Sequence, residues 1–391
     1  MAVGKNALSS DTLGSFSTAL GINCLENQNF TTATQTYNTA VGGLAGGANT
    51  TGNDNTFLGG KAGKSNTTGQ FNTYVGTDAG EALTEGSSNV VVGRGALEQD
   101  TKGSKTVAIG QGTLNAQNFT TATDSFNTAV GHNAGVAVTT GRFNTLLGAF
   151  AGDALQDDNH NVMIGYASGT TAQSANNVFV GGSSGANVTT GAGNICIGSS
   201  AGNDTVLLTT GGSNVVVGLN ARTAAGGTNN SIVMGESVTG VGSDNFTFGT
   251  GTTDSNIAHG ATTITAPSDE RYKENIQDST AGLSFINDLR PVTYQWKKEK
   301  DVPIDHPAYV EGSETRVMLS QGETNHGFIA QEVKTAIDNH PELKDGFDMW
   351  SEEEIEGGGG RQRIAPAALI PMLVKAIQEL SAEIETLKSG G

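Results

Sequence analysis

The chain has 391 residues, of which 56 are glycine and 7 are proline. This length allows two or three domains, and a glycine excess with so little proline excludes collagen-like and proline-rich disordered chains. The formal net charge of −18 argues against nucleic acids and anionic membranes as partners, because both would repel the chain.

Few residues in the chain are suited to crosslinks or metals. Cys24 and Cys196 lie far apart, with no CxxC pair or paired histidine near them. We therefore predict no disulfide framework, no metal and no cofactor. The N-terminus has no apolar signal region and no segment reaches 18 apolar residues, so we expect neither a secretory signal nor membrane insertion.

A short motif recurs through the first 250 residues. It has the form Asn-(Thr/Val/Ile)-x-(Val/Ile/Leu)-Gly, and its glycine stands at positions 42, 59, 76, 93, 131, 148, 165, 181, 198 and 218. Looser copies end at positions 4, 21, 110, 235 and 249, and nine of the fourteen spacings are 17 residues. A fixed period indicates a repeat architecture. We predict a mainly β protein whose residues 1–250 form a parallel β-roll or β-helix-like shaft with coils of about 17 residues.

Each copy predicts one short strand between two turns, because glycine and asparagine supply positive-φ corners and β-branched residues fill the space between them. Val90 and Val92 share one face of such a strand, and Val91 makes the opposite face apolar as well. Strands that are apolar on both faces are covered on both sides, so we infer that neighbouring chains pack against the roll. Stacked coils also place asparagine over asparagine, which allows amide ladders. At about 4.8 Å per coil the shaft would be roughly 65–70 Å long.

The longer coils are candidates for surface recognition. They contain the stretches Asn29 to Asn38, Asn118 to Asn127 and Thr205 to Asn214, which are rich in threonine, asparagine and glutamine. Their aromatic residues fit either glycan contact or internal packing, and these are Phe30, Tyr37, Phe119 and Phe126.

This array resembles the head repeats of trimeric autotransporter adhesins and related repeats in phage fibres. The resemblance covers about residues 2–250 and departs in period, which is shorter in those proteins. It implies a trimeric shaft and says little about the partner.

The composition changes after Pro267, and we predict a linker over 251–267 followed by a different domain over 268–391. Ser268 and Lys273, five residues apart at this junction, are the parts of a Ser-Lys dyad. The downstream segment contains both tryptophans, 13 of the 21 Lys and Arg residues, and 23 of the 39 Asp and Glu residues. Four stretches follow in order, at 268–276, 289–296, 326–333 and 370–380.

This series closely resembles the C-terminal intramolecular chaperone of phage tailspikes, endosialidases and tail fibres, which also occurs in the myelin regulatory factor family. The resemblance implies assisted trimer assembly followed by self-cleavage, with Ser268 as nucleophile and Lys273 as base. The junction is Pro267, Ser268 and Asp269. The size of the cyclic intermediate favours attack of Ser268 on the carbonyl of Pro267, and so a cut before Ser268. The family is described as cleaving the Ser-Asp bond, so both bonds are kept as candidates. The remaining motif residues are Arg271, Asn275, His326, Gln331 and Glu332.

Some of these motif residues have alternative roles. Asp269 and Arg271 either take part in catalysis or orient the turn. His326 is either a triad histidine or, as we favour, a residue that packs or caps a strand-to-helix turn. We expect the other histidines to have no convergent partners. The stretch 351–360 is predicted to be a loop.

The last helix is predicted over 366–388 with an apolar heptad pattern. The isoleucines and leucines of that pattern are Ile370, Leu373, Ile377, Leu380, Ile384 and Leu387. Ile and Leu at these positions intrinsically favour dimers, whereas the family implies a trimer, and we favour the trimer. The alternative is an amphipathic helix that packs on its own domain.

These features predict a homotrimeric, host-receptor-binding phage tail fibre or appendage, made in the host cytoplasm and located in the virion. Its partners would be further copies of itself, another tail or fibre protein because the repeats start at residue 2, and a host glycan or protein receptor. Enzymatic activity is expected only as autoproteolysis of its own chain. The alternatives are a polysaccharide-degrading tailspike, which needs paired carboxylates in a groove, and a non-viral trimeric surface adhesin.

Overall fold

The computed structural model describes residues 1–304, 306, 308–318, 324–343, 347–353 and 361–390. The chain divides into two compact units, Met1–Ser268 and Asp269–Gly391. Among the described residues, no helix combines the length and apolar character needed to cross a membrane.

The first unit, all of which is described, is a parallel β-solenoid with one three-residue strand in most coils. Its strands are β1 (Ala2–Val3), β2 (Gly14–Ser15), β3 (Thr18–Leu20), β4 (Thr34–Gln35), β5 (Thr39–Val41), β6 (Thr56–Leu58), β7 (Thr73–Val75), β8 (Val90–Val92), β9 (Gly103–Ser104), β10 (Val107–Ile109), β11 (Thr123–Asp124), β12 (Thr128–Val130), β13 (Thr145–Leu147), β14 (Val162–Ile164), β15 (Val178–Val180), β16 (Ile195–Ile197), β17 (Val215–Val217), β18 (Ile232–Met234), β19 (Asn245–Thr250) and β20 (Thr253–Ala258).

Sixteen of these strands form one sheet in which each coil pairs with the next, in the order β1-β3-β5-β6-β7-β8-β10-β12-β13-β14-β15-β16-β17-β18-β19-β20. The pairing is parallel until β20, which returns antiparallel to β19. Part of the stretch predicted as a linker is therefore a strand. The longer coils add small parallel ladders, β2 with β4 and β9 with β11. The predicted mainly β fold with coils of about 17 residues is confirmed.

The middle residue of each short strand points into the coil and forms the core. Phe57, Tyr74, Val91 and Phe179 are fully buried there, together with small residues such as Ala40. The glycine after each strand has positive φ and lies against the next coil. At Gly42, with φ 132°, an added Cβ would lie 2.4 Å from the carbonyl oxygen of Gly59, so any side chain here would separate the coils. A glycine at this position is thus a condition of close stacking between coils.

The asparagine that stands four residues before the glycine in most copies forms an internal ladder, although its bonds differ from the simple amide-on-amide ladder that we expected. Oδ1 of Asn55 accepts a hydrogen bond from the backbone N–H of Asn72 at 3.0 Å, and Nδ2 of Asn55 donates to the carbonyl of Gly69 at 2.9 Å. The same pattern repeats from Asn72 to Asn89. A direct amide pair does occur in a second buried column, where Asn66 donates to Asn49 at 2.8 Å.

The first and third residues of each strand point outward and leave an apolar face on the outside of the sheet. Seven of its side chains are between 36% and 46% exposed, and they are Leu20, Leu58, Val90, Leu147, Ile195, Ile197 and Met234. The two apolar faces predicted from the sequence are therefore the core of the coil and this outer face.

The second unit mixes helices and short strands. Its helices are α1 (Leu283–Asp288), α2 (Ala330–Asn339) and α3 (Ile370–Ser389), and short 3-10 turns lie at Glu270–Tyr272, Glu299–Asp301, Pro341–Leu343 and Pro366–Leu369. The described strands are β21 (Val292–Tyr294), antiparallel to β22 (Asn325–Gly327), and β23 (Trp350–Glu353), antiparallel to β24 (Arg361–Ile364).

One core joins the three helices of this unit, and its buried members are Ala281, Phe285, Val333, Ala336, Ile337, Leu343, Met349 and Leu369. The predicted C-terminal helix is confirmed. In the stretch predicted to be a loop, Ser351 and the residues up to Glu353 lie in β23, whereas 354–360 fall outside the described residues.

Candidate functional site

The junction begins where the two units meet in sequence, since Ser268 ends the first and Asp269 starts the second. Asp269 caps the 3-10 turn Glu270–Tyr272, because its Oδ1 accepts a hydrogen bond from the backbone N–H of Arg271 at 2.9 Å. The Arg271 guanidinium returns to the same carboxylate, with Nη2 and Oδ2 2.5 Å apart. The backbone N–H of Lys273 then donates to the carbonyl of Glu270 at 3.0 Å. Asp269 and Arg271 thus hold the turn that carries the lysine.

The electrostatics of the turn follow from this pair. The hydrogen bonds from Arg271 lower the pKa of Asp269, and the Asp269 carboxylate raises the pKa of Arg271. The Arg271 side chain is 82% exposed, so water screens the pair and its contribution to stability is small. The turn is organised mainly by hydrogen-bond geometry.

The predicted nucleophile, base and cleavage residues lie at the surface of the single chain. Pro267, Ser268 and Lys273 are all exposed, and so is Asn275. Asn275 has a positive φ of 54°, a conformation that asparagine tolerates better than most residues. It therefore redirects the backbone two residues after the lysine.

A charged pair connects two of the downstream motifs. Nε of Arg290 donates to Oε2 of Glu332 at 3.0 Å, and a second guanidinium nitrogen bonds the other carboxylate oxygen. This bidentate arrangement links the segment before β21 to the first turn of α2 and lowers the pKa of Glu332. Gln331, the residue before it, is exposed. Glu332 therefore supports the local fold of the second unit.

His326 lies in the middle of β22, opposite Thr293 of β21, and its side chain is exposed. Helix α2 begins four residues later, at Ala330. The histidine thus occupies a strand that leads into a helix, but its side chain is not buried there, and its role stays a prediction.

His340 has two acidic partners, contrary to our expectation that the other histidines have none. Nε2 of His340 lies 2.9 Å from Oδ2 of Asp288, and Nδ1 lies 3.1 Å from Oε1 of Glu342. Its ring packs edge-on against Phe285 in the core, with centroids 5.4 Å apart. The pKa of His340 is raised, and the hydrogen bond to Asp288 is the main cause. Asp288 is 52 residues away in sequence, so no local pattern could reveal the cluster.

Helix α3 uses two different faces. Leu369, just before it, and Ala376 are buried in the second unit, and Glu379 accepts a hydrogen bond from the backbone N–H of Leu283 at 2.7 Å. The predicted heptad residues lie on another face and are between 41% and 77% exposed: Ile370, Leu373, Ile377, Leu380, Ile384 and Leu387. The helix therefore packs on its own unit, as the alternative predicted, and still presents an apolar stripe to solvent.

The aromatic residues of the longer coils divide between the two roles that the sequence allowed. Phe30 and Phe119 are buried at 6% and 5% exposure, whereas Tyr37 and Phe126 are 51% and 46% exposed. The first pair are packing residues. The threonines beside them, Thr31, Thr32, Thr120 and Thr121, are exposed.

Comparison with known proteins places the junction in a recognised domain. Residues 268–341 match the model of a family described as chaperone of endosialidase, whose name also classes it as a peptidase. No curated protein and no solved structure matches the chain. A parallel β-solenoid followed by this domain fits a tail fibre or endosialidase-type chaperone protein, which agrees with the resemblance found in the sequence.

Proposed function

We propose that the protein is a homotrimeric tail fibre or appendage for host attachment, and that its second unit assists assembly and is then cut off at Ser268. One observation carries this proposal. The family match starts at Ser268, and the boundary between the compact units falls between Ser268 and Asp269. A cut on either side of Ser268 would therefore separate a folded shaft from its assembly domain without opening the core of either.

Exposed apolar surface supports the assembly step. The outer face of the solenoid continues from coil to coil, and α3 presents a stripe that includes Ile377 at 62% exposure and Leu387 at 77%. Large exposed apolar patches on a soluble protein mark interaction sites. Further copies of this chain fit the outer face and the α3 stripe. In parallel copies each coil would lie beside the same coil of its neighbour, and each heptad beside the same heptad.

The exposure of Ser268 and Lys273 supports coupling between assembly and cleavage. A lysine acts as a base only in its neutral form, and desolvation at an assembled interface favours that form. We propose that assembly buries Lys273. The Ser268 hydroxyl then attacks the scissile carbonyl and passes its proton to Lys273, which donates it to the leaving amine as the peptide bond breaks. Water hydrolyses the resulting ester and restores the serine hydroxyl. Cleavage would then report correct assembly.

Host contact is assigned to the longer coils, whose exposed threonine-rich turns include Thr31, Thr32, Thr120 and Thr121. Such turns offer hydroxyl groups for hydrogen bonds to a glycan or a protein receptor. A glycan array probed with the purified oligomer tests this assignment, and binding that survives deletion of these turns would contradict it.

Intact-mass measurement and denaturing electrophoresis test the self-cleavage. Wild type under assembling conditions should give two fragments whose masses identify the bond, and Ser268→Ala and Lys273→Met should give full-length chain. Ser284→Ala, an exposed serine of α1, is the matched control and should still be cut. A wild-type trimer that stays full length would refute self-cleavage, and cleavage of Ser268→Ala would remove Ser268 as nucleophile.

A further inference from the structure

Three consecutive coils of the solenoid, ending at Gly131, Gly148 and Gly165, carry an aromatic cluster where the outer strand begins. The rings of Phe126 and Phe143 are stacked with centroids 5.5 Å apart and planes 11° apart. Phe143 and His160 continue the stack at 4.9 Å and 15°. We call this the entry cluster.

The same three coils carry a second aromatic cluster where the outer strand ends. His132 packs edge-on against Phe150 at 5.3 Å, and Phe150 packs edge-on against Tyr166 at 6.0 Å. We call this the exit cluster. Tyr166 is 64% exposed, so part of the cluster is accessible to another molecule.

Coil formation does not require these aromatic residues. At the entry position, one residue before the ladder asparagine or its equivalent, neighbouring coils carry Ser88, Lys105, Asn176 and Gly193. Phe143 and Phe150 have positive φ values of 60° and 59°, a region that bulky side chains occupy at some cost in strain. Phe16 and Tyr37 also stack at entry positions, at 5.4 Å, but only the three coils ending at Gly131, Gly148 and Gly165 carry rings at both ends of the outer strand.

We infer that the entry cluster of one copy packs against the exit cluster of the next copy and sets the register of the assembly. This inference rests on the proposed trimer. In a closed ring of parallel copies every interface joins two different edges, so the start of one outer face meets the end of its neighbour's. Both clusters lie on the same three coils, so they meet only when the copies are in register.

Continuity and charge also favour a second copy as the occupant. The clusters flank the apolar outer face. This face is about 10 Å wide, the length of a three-residue strand, and some 60 Å long over the stacked strands, or roughly 600 Å² in projection. The edges extend this area toward the ~800 Å² per partner of a stable interface. No coil carries like charges at its two edges, and the coil ending at Gly59 has Asp54 at its entry edge and Lys61 at its exit edge. Aromatic residues are enriched at protein–protein interfaces relative to the rest of the surface.

Cysteine crosslinking tests this arrangement. The matched variant, Phe143→Cys with Phe150→Cys, places one thiol at each edge of one coil. The mismatched control, Phe71→Cys with Phe150→Cys, places them on different coils. Native Cys24 and Cys196 are fully buried, and burial raises the pKa of their thiols to about 11 and about 12, so a short bis-maleimide should spare them. We expect two- and three-chain bands from the matched variant and single chains from the control.

The outcomes separate this inference from the proposed trimer. Trimers by light scattering with equal crosslinking in both variants would overturn the edge-to-edge contact and leave the trimer standing. A monomeric wild type would overturn both. If a double variant does not fold, Phe126→Ser replaces it and should lower the denaturant midpoint for trimer dissociation more than Phe16→Ser, which likewise removes the outer ring of a stack. Equal shifts from these two substitutions would contradict the inference.

Discussion

Removing one side chain from the internal asparagine ladder tests how the coils are held together. Oδ1 of Asn72 accepts from the backbone N–H of Asn89 at 3.0 Å, and its Nδ2 donates to the carbonyl of Gly86 at 2.9 Å. Asn72 is 1% exposed, and neither partner group has another hydrogen bond in the solenoid. Asn72→Ala would orphan a buried donor and a buried acceptor, each at a cost of about 1–3 kcal/mol, so we expect a loss of roughly 2–6 kcal/mol.

Hydrogen exchange gives the local measurement and chemical unfolding the global one. Exchange of the Asn89 amide should accelerate strongly in Asn72→Ala and less in Asn72→Asp, which keeps an acceptor for that amide. Thr68→Ala, at an exposed position of the same coil, should change the unfolding free energy by no more than about 0.5 kcal/mol. Unchanged protection of the Asn89 amide in Asn72→Ala would refute the ladder as the source of cohesion.

Three further predictions concern the core, the helix and the histidine cluster. Phe57→Ala, which removes a fully buried ring 5.5 Å from Tyr74, should cost about 3–5 kcal/mol in chemical unfolding. Ile377→Asp should shift light-scattering mass toward single chains, because burying its exposed side chain contributes roughly 1–2 kcal/mol per copy. His340→Ala should destabilise the second unit by about 2–4 kcal/mol from two charge-assisted bonds. Because the folded pKa of His340 is raised, this stabilisation is complete below its ordinary value of about 6.5 and is lost as pH rises through the folded value.

Each of these predictions has a matched control. Gln378→Asp lies beside Ile377 at an exposed position outside the heptad stripe, and it should leave the oligomer unchanged. Equal dissociation by both helix variants would remove the stripe from the interface. Asp288→Asn should flatten the pH dependence attributed to His340, and an unaltered slope would reject that pair as its cause. For the core, Phe57→Leu should cost less than Phe57→Ala.

The repeat was predictable because its signal is local. A typical coil needs a glycine that leaves space for the next coil, an asparagine for the ladder and β-branched residues for the strand. The period is therefore visible in the amino-acid sequence. The junction motif was recognised through its resemblance to the chaperone family, and the structure adds the hydrogen bond between Asp269 and Arg271. The role of Phe119 was open until its burial was known, because a phenylalanine in a polar loop fits both packing and binding.

The sequence by itself determined the coil period and the parallel solenoid, because each depends on interactions between residues close in the chain or repeated along it. The chaperone-like character of the second unit came from the resemblance of its ordered motifs to a known family. Only the tertiary structure decided which of two apolar strand faces lies inside, which face of α3 packs on its own unit, and that His340 meets Asp288. Those outcomes depend on contacts between distant segments. Stacking also brought the rings of Phe126, Phe143 and His160 together, since residues 17 apart in sequence become neighbours one coil apart.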